Sequence, residues 1–159
     1  MTMWKDDINS FIRLCNVHDV RMLMVGGGAV NYHGYQRSSS DIDFWIDTSE
    51  ENLGKLVKAF TEMGYELDDL PDSVKQKRQN ISIKLSPLDL NLELITNFSA
   101  NKSFDEAYQN AEVVRSKDDE SYCWRVLAFE DLVTSKIKSG RPKDLLDVYE
   151  LKRRKDGYK

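Results

Sequence analysis

Asp41 and Asp43, in the stretch DIDFWID, are two acids one residue apart. Read as a strand, the stretch sends Ile42, Phe44 and Ile46 to one face and both aspartates to the other. Their Cα atoms then stand about 6.5–7 Å apart. From that spacing two carboxylates can converge on a pair of divalent ions roughly 3.5–4 Å apart. Mg²⁺ and Mn²⁺ are hard ions that take oxygen ligands, so Asp is the expected residue type. An acidic, solvated strand face is the alternative for a lone Asp-x-Asp. Like charges on one strand repel, however, unless something positive sits between them.

Upstream lies the stretch MVGGGAVNYHG, an apolar run followed by Gly26, Gly27 and Gly28. A strand, then glycines, then a helix start can cradle phosphate, because backbone N–H groups point outward and no side chain blocks the approach. Glycine clusters also make tight turns. A dinucleotide-binding loop is excluded, since Asn31 stands where the third glycine belongs. Thirteen residues between Gly27 and Asp41 are too few for the crossover helix of a βαβ unit. No Gly-Lys-Ser/Thr follows, which excludes a Walker-type loop.

A third acid can come from LDLNLELIT, where Leu88, Leu90, Leu92 and Leu94 share one face of a strand. Asp89, Asn91 and Glu93 share the other. Asp89 and Glu93 are about 13 Å apart along a strand, so only one of them can serve a single metal pair.

Positioning these residues takes the following elements. Residues 4–16 have a helical apolar stripe, and VRMLMV at 20–25 suits a buried strand. A short helix spans Ala29 to about His33, with Gly34 as its stop. After the Asp-x-Asp strand comes a helix capped by Thr48 or Ser49 and ended by Gly64, with Leu53, Leu56, Val57, Phe60 and Met63 as its stripe. Strands over 79–85 and 88–96, a helix near 103–111 and a strand around 122–127 follow. Helices over 129–138 and 142–154 close the chain. The fold class is α/β of the α+β kind: a small mixed sheet flanked by helices, with C-terminal helices.

The 159 residues form one domain by length, with 40% hydrophobic and 31% charged residues typical of a soluble globular chain. No apolar stretch is long enough to cross a bilayer, so no membrane partner is expected. The acidic, amphipathic N-terminus is neither a signal nor a transit peptide. Cys15 and Cys123 are too few for a disulfide framework, which makes a cytoplasmic location the expectation. His18 and His33 form no zinc set with them at a familiar spacing. The net charge of −4 is uneven: residues 136–159 carry nine Lys or Arg against four acids. The first 135 residues hold 14 bases and 23 acids. A basic end on an acidic body can attract polyanions, and it can equally be a solvated helical face.

Taken together, Val25-Gly26-Gly27 and Asp41-Ile42-Asp43 resemble the pattern of the nucleotidyltransferase superfamily (polymerase-beta-like fold): a hydrophobic residue, Gly-Gly or Gly-Ser, about a dozen residues, then Asp-x-Asp. The nearer likeness is to minimal bacterial nucleotidyltransferases and the AbiEii type of toxin, with Gly-Gly-x-Ala, a downstream Gly and Arg-x-Thr-x-Asp-x-Asp. This chain has Gly26-Gly27-Gly28-Ala29, Gly34 and Arg37-Ser38-Ser39-Ser40-Asp41-Ile42-Asp43. The likeness continues through SFDEAYQNA and VLAFEDLVTSKIKSGRPKDLLDVYEL, so it spans about residues 20–151. It implies one nucleotidyltransferase-like domain over 1–159, with a core of about 20–127 and closing helices of about 129–155.

The resemblance also implies site roles. Asp41 and Asp43 would hold two Mg²⁺ (or Mn²⁺) ions. Matching ELIT to the family's Asp-Leu-Leu-Thr segment selects Glu93 as third carboxylate, a Glu where Asp is usual, with Asp89 as the alternative. Gly26 and Gly27 would seat the phosphates of an NTP co-substrate. Ser39 keeps the hydroxyl of the usual Thr, and Gly28, in a slot that often holds a larger residue, should loosen the helix start. Arg37 suits a phosphate contact, or is a surface arginine. Lys136 matches the family's Lys and could reach a triphosphate, or is an exposed helical lysine. Arg141, Lys143 and Asp144 lie around the start of the last helix, where Asp144 also makes sense as a dipole partner.

The implied activity is transfer of an NMP from an NTP to an acceptor that the sequence does not name. The classes to consider are tRNA, a protein and a small molecule, with a toxin–antitoxin setting and a partner protein among the expectations. The alternative is a nucleotidyltransferase-fold protein without catalysis that binds nucleotide or regulates a partner.

Overall fold

The computed structural model describes residues 3–36, 41–84, 91–119 and 122–157, with side chains from Ile8 onward. Arg37, Ser39 and Asp89 lie outside the described residues, as do Leu88 and Leu90.

Seven helices and six strands follow one another in the order α1 (Met3–Val17), β1 (Met22–Val25), α2 (Gly26–Tyr32), β2 (Asp41–Ile46), α3 (Glu50–Glu62), α4 (Asp72–Lys75), β3 (Ile81–Lys84), β4 (Asn91–Ile95), α5 (Phe104–Asn110), β5 (Glu112–Arg115), β6 (Cys123–Val126), α6 (Phe129–Ser139) and α7 (Pro142–Gly157) among the described residues. The strands make one mixed sheet, ordered β3-β4-β2-β1-β6-β5. Parallel pairing of β2 with β4 and of β1 with β6 sits inside antiparallel edges, and β1 and β2 run antiparallel at the centre. The architecture is α+β, with helices on both faces of the sheet and two helices closing the chain.

Alternation along the strands divides the apolar side chains between two cores. Met22, Phe44, Ile46, Leu92 and Leu94 pack against Phe11 and Ile12 of α1 and Leu56 and Phe60 of α3. On the other face Leu23, Val25, Trp45 and Val126 meet Ala29 and Val30 of α2, Ala107 of α5, Leu132 of α6 and Leu151 of α7. Because both faces of β1 are covered, MLMV reads as a continuous apolar run rather than an alternating one. Asp41, Asp43 and Glu93 belong to the second face, at the sheet end where α2 begins.

Local chemistry sets the helix ends. Ser49, rather than Thr48, caps α3 by accepting from the Asn52 N–H, with Glu50 and Glu51 in the first turn. Ser103 and Glu106 form a reciprocal capping box on α5. Gly140 ends α6 in the left-handed region at φ 66°, and Pro142 opens α7.

The short helix near Ala29 in fact begins three residues earlier, at Gly26, so the glycines form its first turn. Gly28 stands in that first turn. A Cβ there would meet Met24 Sδ at 2.8 Å, the far end of a flexible side chain of β1. Two elements were not expected. The four-residue α4 follows Pro71, and β5 is an edge strand exposed at three of its four positions. Among the described residues, no helix is long and apolar enough to cross a membrane.

Leu92 is fully buried between β2 and β3, so Leu92→Ala is expected to cost about 2–5 kcal/mol by urea unfolding. The exposed Leu146→Ala serves as a control and should change stability by less than about 0.5 kcal/mol.

Candidate active site

Strand register gathers the acids. Antiparallel β1 sets Val25 opposite Asp43, and parallel β4 sets Glu93 beside Asp43 and Asn91 beside Asp41. β3 then brings Ser82 opposite Glu93. Cross-strand partners project to one face, so Asp41, Asp43 and Glu93 line up together. The register that the leucine alternation predicts for Glu93 is the one observed: Leu92 and Leu94 are fully buried in the opposite core.

Chain reversal at the end of β1 drives backbone into this row. Gly26 takes φ +60°, and a Cβ on it would collide with the Asp43 carboxylate. Glycine is therefore required at position 26 twice over, by its dihedral and by the space Asp43 occupies. Gly27 is buried within α2. The α2 N-terminus has no side-chain cap and no acid in its first turn.

Crowding marks the electrostatics. Asp43 is pushed up to about 6, first by burial and then by the charges of Asp41 and Glu93, with Lys136 and Lys143 opposing. Asn91 Nδ2 donates to Asp41 Oδ1 at 3.1 Å, and Ser82 Oγ donates to Glu93 Oε2 at 2.6 Å.

The positive side of the site comes from α6 and α7. Lys136 is not the exposed helical lysine that its sequence position allows. It is buried, and its Nζ lies 3.0 Å from Asp147 and 3.4 Å from Asp144. Asp144 is likewise more than a helix-dipole partner. It is fully buried and accepts from Ser139 Oγ at 2.7 Å and Arg141 Nε at 2.6 Å. Burial alone would raise the Asp144 carboxyl. The hydrogen bonds from Arg141 and Ser139 and the charges of Lys136 and Arg141 outweigh it and hold the group at about 2.

A cleft of about 370 Å³ lies between these halves, with Gly26, Asp43, Phe98, Lys136, Arg141 and Asp144 among its walls. A larger, more open groove of about 1130 Å³ lies beyond the far end of α2, beside His33, Phe129 and Arg154. It holds none of the three clustered acids. His33 there bonds the Leu127 carbonyl through Nε2, and His18 pairs with Glu62, so both histidines have structural contacts.

Of the residues singled out in the sequence, Gly26, Gly27, Asp41, Asp43, Glu93 and Lys136 come together; Arg37, Ser39 and Asp89 fall outside the described residues. Asn91, placed on the acid face by the alternation, donates to Asp41; Ser82, Asp147 and the buried role of Asp144 were missed. The last two had a signal: Asp144, Asp147, Val148 and Leu151 stand at i, i+3, i+4 and i+7, which puts two acids on the buried stripe of α7.

Among the described residues, no group of three or more His, Cys, Asp or Glu side chains is arranged as a metal centre. The donor chemistry nonetheless fits a hard cation. Three carboxylates from two neighbouring strands share one sheet face, and their mutual repulsion, visible at Asp43, is what a divalent ion relieves. No protein-family model matches the chain, and no curated protein matches it.

Gly26→Ala is expected to cost more than about 1 kcal/mol in thermal unfolding, since it strains the backbone and displaces Asp43. Gly54→Ala, on the exposed face of α3, should be neutral or stabilising by up to about 1 kcal/mol. A pH effect accompanies Asp43. Its carboxyl titrates near 6 when folded and near 3.8 when unfolded, so the folded state holds the extra proton between those values. Its contribution to stability therefore falls as pH rises from about 4 to about 6. Melting curves in metal-free buffer should show Asp43→Asn gaining on the parent chain across that window.

Proposed function

We propose that this chain is a metal-dependent nucleotidyltransferase that moves an NMP from an NTP to an acceptor. One observation carries the reading: Gly26, Asp43 and buried Lys136 line a single cleft, and strand register sets Glu93 beside Asp43, with Asp41 two residues before it on the same face. Asp41, Asp43 and Glu93 are the residues to hold Mg²⁺ or Mn²⁺, which when bound would polarise the phosphoryl oxygens and offset the triphosphate charge. Gly26 and Gly27, which carry no side chains where α2 begins beside Asp43, are the residues to seat the triphosphate through backbone amides. Lys136, fixed by Asp144 and Asp147, sets a positive charge on the opposite wall.

In the reaction, an acceptor oxygen bonds to the α-phosphorus as the bond to the bridging oxygen breaks. Pyrophosphate leaves with that electron pair, and the acceptor proton passes to Glu93 or to water. The nine bases of residues 136–159 suit a polyanionic acceptor such as tRNA. A protein hydroxyl or a small molecule remains a second acceptor class, and a cytoplasmic toxin–antitoxin setting belongs to the same proposal. A reading without catalysis, as a nucleotide-binding or regulatory partner, draws on the hydrogen bonds that occupy Asp41 and Glu93.

Incubation with α-labelled NTPs, Mg²⁺ or Mn²⁺ and cell extract should yield a labelled acceptor. Glu93→Gln should lower labelling by about 10²-fold or more, while Asp89→Asn should cost much less. The reverse order would make Asp89 the third carboxylate. Nucleotide binding with no labelled product would favour the non-catalytic reading. Either metal should also raise the melting temperature of the parent chain and leave that of the Asp41→Asn, Asp43→Asn double variant unmoved.

A further inference from the structure

On the nucleotidyltransferase reading, we propose that Arg141 is a positioning residue for the β- and γ-phosphates, the part of the triphosphate that departs as pyrophosphate. Arg141 stands between Gly140, which ends α6 in the left-handed region, and Pro142, which opens α7. Gly140 supplies the left-handed turn and Pro142 restricts the backbone of Arg141 before it, so the residue sits on a defined elbow in the wall of the cleft that Asp43 also lines.

Its guanidinium is aimed by Asp144. Nε bonds Asp144 Oδ2 at 2.6 Å and Nη2 approaches Oδ1 at 3.3 Å, while the Arg141 side chain remains 65% exposed and that of Asp144 only 1%. Asp144 has two further partners, Lys136 and Ser139, so Arg141 shares the task of holding it rather than carrying it alone. An ion pair on so exposed an arginine adds little stability. What the pair does is orient a planar fork: two of five N–H groups meet Asp144, and three are left for a ligand.

The neighbouring cations are more fully engaged. Lys136 bridges two aspartates and Lys138 donates to Asn101 at 2.6 Å. The cleft thus has an acidic wall on the sheet and a basic wall on the α6–α7 elbow. A triphosphate whose α-phosphate lies beside the carboxylates presents its β- and γ-phosphates to that basic wall. Arg141 touches the departing end and leaves the bond changes at the α-phosphorus to the acids.

Calorimetric titration tests this with Mg²⁺, the four ribonucleoside triphosphates, their monophosphates and pyrophosphate. Arg141→Gln should weaken triphosphate and pyrophosphate binding about tenfold or more, as expected for losing a charged hydrogen-bond donor. Monophosphate binding should change less than about threefold. Arg141→Lys should recover only part of the loss, because an ammonium cannot hold Asp144 and phosphate as a fork does. It also retains the charge opposite Asp144, so it reports on the assignment should the Gln variant unfold. Triphosphate affinity unchanged in both variants, or triphosphate and monophosphate weakened alike, would overturn the role of Arg141 and leave the nucleotidyltransferase reading standing. A parent chain that binds no nucleotide would remove both.

Discussion

The Asp43 carboxylate and the Gly26 backbone occupy adjoining space, and neither can move without the other. β1 must end where it does so that the chain turns away at φ +60°, and β2 must hold the register that brings Asp43 opposite Val25. That register in turn sets Trp45 into one core and Phe44 and Ile46 into the other. A slip of one residue would turn the acids into the α1–α3 core and the aromatic ring of Phe44 toward the cleft. Site geometry and core packing are one constraint expressed on two faces of a strand.

Counter-charge is arranged with similar economy. A lysine and two aspartates buried at the α6–α7 junction would be costly singly, and removing one partner of such a group leaves an uncompensated charge. Together they satisfy one another and fasten α7 to α6 through polar contacts where a bundle would ordinarily use leucine. The final helix owes its seat to both kinds of contact: Leu151 is fully buried in the apolar core, while Asp144 and Asp147 face Lys136. The polar group also puts a positive charge near crowded acids, which lowers the proton affinity of Asp43 from what burial and its neighbours impose.

Much of this was legible where physics is local. The alternation of Ile42, Phe44 and Ile46 against Asp41 and Asp43 announces a strand with one apolar face, and Leu92 and Leu94 do the same for β4. Glu93 follows because a two-residue period leaves no freedom once the leucines are buried. Legibility fails where the pattern is inverted or too short. Asp144 and Asp147 lie on a helical stripe normally taken by apolar residues, and only Lys136, on a different helix, makes sense of them. β5 has no dry face to leave an alternating signature, and four-residue α4 has too few positions for any period. The glycines were readable as a place without side chains, but whether that space serves phosphate or Asp43 depends on a partner seventeen positions away.

The parallel pairing of β2 with β4 and the late position of α6 have a consequence for synthesis. A chain made from the N-terminus presents Asp41 and Asp43 first, and Glu93 only after some fifty further residues. Lys136 and its aspartates emerge last of all, after every strand among the described residues. Until α6 and α7 are in place, the acids lack the opposing charges of Lys136 and Lys143. The cleft acquires its second wall only when α6 and α7 dock, because Lys136, Arg141 and Asp144 all come from that last stretch of chain.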